Sequence, residues 1–172
     1  MNNAILEQFN KLVNTLEDQI KVYRNLLDVV RREKEILVSA NLDELNENNK
    51  SKEAMLLKIR GLETVRIRCA SELSTTIGLT TEPPRLLEMA NHVPEAMGER
   101  LRNLHSVLDL LLKRVQEYNK QNEVLVQSAL NNITGAMKAI RDTLQDKPTY
   151  QRKGELSQAA PGASGQLVQR EA

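Results

Sequence analysis

The first sixty residues contain neither glycine nor proline, and one apolar row runs through them in steps of three and four. Its members are Leu6, Phe9, Val13, Leu16, Ile20, Tyr23, Leu27, Val30 and Leu37, with Lys34 the only interruption. Sustained three–four spacing places these side chains on a single stripe of an α-helix and is incompatible with the alternation of a strand. No residue breaks the helix early. A first helix over about residues 3–38 is therefore expected. Its stripe must be covered by other helices, because packing of an amphipathic face, not propensity, supplies most helical stability.

Ser39-Ala40-Asn41 reads as a turn. Asn41 is placed to cap a second helix, and Glu44, three residues on, completes a capping box. So short a connection favours an antiparallel hairpin, with one continuous kinked helix as the alternative. The second helix, about residues 42–77, carries a thinner stripe of Leu45, Leu56, Ile59, Leu62, Cys69, Leu73 and Ile77. Asn46 to Lys52 is polar throughout, so loose packing is expected near the turn. Gly78 is a C-terminal stop. Thr80-Thr81-Glu82-Pro83-Pro84 interrupts the chain, Arg85 to Asn91 has room for a turn or two of helix, and Pro94 suits the start of a long helix, about 95–145.

That last helix carries two registers. Met97, Leu101, Leu104, Leu108, Leu111, Val115, Tyr118, Asn122 and Leu125 form the first. Val126, Leu130, Ile133, Met137, Ile140 and Leu144 form the second, displaced by one residue, or roughly 100° around the helix. The apolar face thus changes direction near Asn122. About 50 residues at 1.5 Å each also outrun either helix of the hairpin, by roughly 20 Å. Leu130, Ile133, Met137, Ile140 and Leu144 are therefore candidates for a docking face for a partner helix, the alternative being burial inside the same bundle. Beyond Pro148 periodicity ends and Gly, Ser, Ala, Gln and Pro dominate, the composition of a flexible tail. The expected architecture is all-α: an elongated antiparallel three-helix bundle or coiled coil over residues 1–147, ending in a long helix, followed by a disordered tail, 148–172.

Composition agrees and excludes much. The chain has one Phe, three Tyr and no Trp, and draws its bulk from aliphatic residues, the mix of long helices. With 24 basic and 23 acidic residues interspersed, it offers no basic face to nucleic acid. No apolar run approaches the roughly 20 residues of a membrane span, and the N-terminus lacks the blocks of a signal peptide, so a cytoplasmic protein that is not membrane-inserted is expected. His92 and His105 stand alone, Cys69 has no partner, and neither metal-ligand spacing nor a phosphate loop nor a nucleophile–base order occurs. No catalytic, metal or cofactor site is expected.

Three stretches together resemble a known family, the FlgN-type flagellar export chaperones. KEILVSANLDELNENNKSKEAML is similar to the family's junction between its first two helices. YNKQNEVLVQSAL, Tyr118 to Leu130, is similar to its L-N-x-x-N-x-x-L-L stretch, with Tyr118 at the usual Leu. Thr149, Tyr150 and Gly154 match its T-Y-x-x-x-G signature. The resemblance implies a three-helix bundle in the bacterial cytoplasm. It would bind hook–filament junction proteins, prevent their premature association and deliver them to the flagellar type III export gate. It also implies that Tyr150, with Thr149 and Gly154 shaping its segment, contacts the cytoplasmic domain of the export-gate membrane protein, and that Asn119, Asn122 and Leu125 are structural. The competing expectation is a coiled-coil adaptor or scaffold, which has no use for Tyr150 in its motif.

Overall fold

The computed structural model describes residues 3–79 and 83–145. Four helices follow one another: α1 (Asn3–Ser39), α2 (Leu42–Thr76), a short α3 (Leu86–Ala90) and α4 (Glu95–Gln145). No strand occurs among the described residues, so the fold is all-α as the stripes require. The expected tail, 148–172, lies outside the described residues. The chain divides into two compact units, Met1–Val126 and Gln127–Ala172.

In the first unit, α1 turns into α2 through Ala40, which adopts the left-handed conformation at φ 54°. Asn41 then caps α2. Its Oδ1 accepts from the Glu44 backbone N–H at 3.2 Å, while its amide donates to the Glu44 carboxylate at 2.9 Å. The box is closed through the two side chains instead of through the Asn41 backbone. The hairpin is antiparallel: Thr76 bonds Gln8, Gln19 bonds Glu63, and Lys52 bonds Glu33. A kinked continuous helix is thereby ruled out. At the other end of α2, Gly78 takes φ 78°. Its N–H and that of Leu79 reach back to Thr75 O and Ser74 O, the Schellman pattern that satisfies otherwise orphaned carbonyls.

α4 runs parallel to α1 within this unit, since Arg100 pairs with Glu17 and Asn122 reaches Val30. α1 therefore packs against two helices. Its expected row is buried at Phe9, Val13, Leu16, Ile20, Leu27 and Val30. A second row, Leu12, Thr15, Gln19, Val22, Leu26 and Ile36, is buried beside it. Lys34 interrupts the first row because its ammonium donates to Gln121 on α4 at 2.9 Å. From α4 the core takes Met97, Leu101, Leu108, Leu111 and Val115, and from α3 Met89 and Ala90. Two expected core positions are surface: Leu6 lies in the first turn of α1, and Leu56 is exposed while its neighbour Met55 faces the core.

A polar clamp joins the middle of the hairpin. Arg66 donates to both Glu63 oxygens, at 2.5 and 2.8 Å, and buried Gln19 donates to one of them at 2.9 Å. The Arg66 hydrogen bonds, helped by Gln19, hold the Glu63 carboxyl below the usual carboxylate range. A depressed folded pKa adds stability above the unfolded value and loses it as pH falls through the folded one. Glu63→Gln is thus expected to lower Tm near neutral pH. Below the carboxylate range the gap to wild type should close, which a Tm series across acidic pH would show.

Candidate functional site

The stretch of α4 in the second unit mixes strong helix formers, among them Ala129, Ala136, Met137, Lys138 and Ala139, with weaker ones such as Asn131, Asn132 and Gly135. Its two threonines turn inward on their own helix: Thr134 Oγ1 donates to Leu130 O at 2.9 Å and Thr143 Oγ1 to Ala139 O at 2.8 Å. Neither hydroxyl then competes for a partner. Leu130, Ile133, Met137, Ile140 and Leu144 follow each other at steps of three and four, and each is 53–67% exposed. Every residue from Val126 to Gln145 is exposed.

The stripe has two unlike borders. By helical phase, Ala129 and Ala136 flank it on one side, and Thr134 and Arg141 on the other. Met137, Ile140, Arg141, Leu144 and Gln145 line a shallow concavity of about 380 Å³ at its C-terminal end. Arg141 is paired only loosely, its Nε 3.7 Å from Asp142 in an exposed contact. A row of aliphatic side chains with a flexible thioether at its centre buries apolar surface against another helix and adapts to its shape. Thr149, Tyr150 and Gly154, the other expected site residues, lie outside the described residues.

Asn122, expected as structural, is the last buried residue of α4. Its amide donates to Val30 O at 2.9 Å and to Glu33 Oε2 at 3.0 Å. Asn119 and Leu125 are half-buried beside it. Tyr118, at the motif's Leu position, receives the Arg31 guanidinium over its ring at 5.4 Å. The sequence did not disclose that Glu33 and Lys52 join Asn122. The only signal was the polar run Asn46 to Lys52 in α2, which does not by itself name Glu33.

His92 is exposed, with Nδ1 2.9 Å from Glu88 O, while His105 is half-buried in a groove with Tyr23 and Arg66, and Cys69 is buried in the core. Among the described residues no group of three or more His, Cys, Asp or Glu is placed to hold a metal ion, and no helix is long and apolar enough to cross a membrane.

The fold is all-α, and its last helix carries an exposed aliphatic stripe. The chain belongs to the FlgN family: the family model described as FlgN protein matches residues 1–158. Its general role is accordingly that of a flagellar export chaperone. No curated protein and no solved structure matches it.

Proposed function

We propose that this protein is a cytoplasmic chaperone of the flagellar type III secretion pathway. It binds hook–filament junction proteins through Leu130, Ile133, Met137, Ile140 and Leu144, keeps them from associating early and delivers them to the export gate. The observation that carries the proposal is a five-residue aliphatic stripe left exposed on a regular helix of a FlgN-family chain. Such a stripe is stable in water only at a cost, which a helical partner removes. Each fully buried Ile or Leu contributes about 1.5–3 kcal/mol of transfer free energy. Rigid-body ordering and side-chain fixing offset much of the sum, so affinity is moderate and the cargo is releasable. The protein does no chemistry itself and needs no cofactor. Thr149, Tyr150 and Gly154 form the second contact, to the cytoplasmic domain of the export-gate membrane protein.

Affinity purification of the full chain from a flagellated host tests both contacts. Hook–filament junction proteins are expected to co-purify and to be lost on deleting Asn131 to Ala172. Tyr150→Ala is expected to retain them while their secretion falls. If the full chain recovers only further copies of itself, the scaffold alternative holds instead. If Tyr150→Ala secretes normally, the gate contact is wrong.

A further inference from the structure

Three polar side chains from three helices meet where the apolar packing of the first unit runs out. Glu33 Oε2 on α1 accepts from Lys52 Nζ on α2 at 2.8 Å and from Asn122 Nδ2 on α4 at 3.0 Å. The Asn122 amide also donates to the Val30 carbonyl. Asn122 is 3% exposed. Its Oδ1, together with Asn119 Oδ1 and Arg31 Nε, is buried without a hydrogen-bond partner among the described residues.

Apolar support at this level is thin. α4 buries nothing after Asn122, α1 buries only Ile36 after Val30, and the only buried residue of α2 before Cys69 is Asn48. Asn48 is itself polar and donates to Val29 O at 3.3 Å. A groove of about 540 Å³ lies between α1 and α2 beside it, lined by Val29, Arg32, Asp43, Glu47, Asn48 and Ser51. The opposite end of the unit is different: Leu12, Leu16, Leu73, Met89 and Leu101 are fully buried there.

The physics of the two ends differs accordingly. Opening an apolar interface costs in proportion to the area exposed to water. A buried polar contact contributes little net stability when made, because water satisfies the same groups, but it is costly when half-made. It therefore behaves as all closed or all open. We propose that Glu33, Lys52 and Asn122 form a polar clasp that latches α4 to the α1–α2 hairpin and releases without melting the apolar core. Released segments lose their tertiary partner, and helices without one fray.

Hydrogen exchange followed by mass spectrometry on the full chain tests this. In the wild type, amides around Val30–Leu37, Leu45–Met55 and Tyr118–Val126 exchange faster than those around Leu12–Leu16, Ala70–Leu73 and Leu101–Leu108. Asn122→Ala raises exchange in the three clasp segments by about tenfold and leaves the core segments unchanged. Adding Glu33→Gln to Asn122→Ala gives little further increase, because the two side chains act as one unit. Should Asn122→Ala fail to fold, the same comparison is made on Lys52→Met. A rise spread evenly over all helices makes Asn122 an ordinary core residue and overturns the clasp. So does the absence of any change.

Discussion

Replacing Ile133 and Ile140 together with Asp is expected to weaken binding of hook–filament junction proteins by at least ~100-fold while shifting the Tm of the free protein by no more than ~4 °C. The first number follows from two aliphatic anchors at about 1.5–3 kcal/mol each, against 1.4 kcal/mol per tenfold in affinity. Asp adds to it by bringing an unpaired carboxylate into an apolar contact. The second number follows from exposure. Ile133 is 57% exposed and Ile140 61%, so neither contributes core burial to the free chain. Surface substitutions of that kind usually stay within about 0.5 kcal/mol, and for a chain of this size 1 kcal/mol moves Tm by about 2–4 °C. Calorimetric titration and thermal melts on the same preparation give both values. A large Tm loss with binding reduced only in proportion would place the two residues in the protein's own core.

Two glycines on helices should respond to alanine with opposite signs. In a helix interior Ala is favoured over Gly by about 0.8–1 kcal/mol. Gly61 on α2 has open space where a Cβ would stand. Gly61→Ala is therefore expected to stabilise the first unit by nearly that amount. Gly98 sits in the fourth position of α4, where the chain has just left α3. A Cβ there would lie 2.3 Å from the Ala90 carbonyl oxygen and 3.3 Å from its carbon. Backbone atoms cannot step aside as a flexible side chain does, so α3 must be pushed off α4. Met89 and Ala90, both buried, would be displaced with it. Overpacking of this kind costs about 1–3 kcal/mol, more than the propensity gain. Gly98→Ala is expected to lower Tm by several degrees while Gly61→Ala raises it, and denaturant melts of the two variants measure the difference directly. A stabilised Gly98→Ala protein would mean that α3 is not seated on α4 as described.

What the sequence disclosed and what it withheld have physical reasons. The helix limits were readable because Ser39-Ala40-Asn41, Gly78 and Pro94 punctuate the chain locally. The stripe at Leu130 to Leu144 was readable because helical phase depends on spacing alone. Its exposure could be expected only from helix length, with burial in the same bundle as the alternative, since coverage depends on elements far away in sequence. The second buried row of α1, from Leu12 to Ile36, was overlooked because Thr15 and Gln19 break its apolar signal. Both are buried: the Thr15 hydroxyl is satisfied by Lys11 O and the Gln19 amide by Glu63. The meeting of Glu33 and Lys52 with Asn122, itself expected as structural, was hidden because polar residues give no apolar signal. Each is polar, each lies on a different helix, and only the folded arrangement brings them together. Leu56 shows the converse error. An aliphatic residue at the right spacing still faces water when α2 turns Met55 inward.

Site-specific photocrosslinking tests the docking role of the stripe most directly. A photoreactive side chain is placed at Met137, at the centre of the stripe, and in a separate variant at Leu57, an equally exposed apolar position on α2 in the first unit. Purified hook–filament junction protein is added to each. A crosslink from position 137 and none from position 57 is the predicted result. Equal crosslinking from both positions, or crosslinking from position 57 alone, would contradict it.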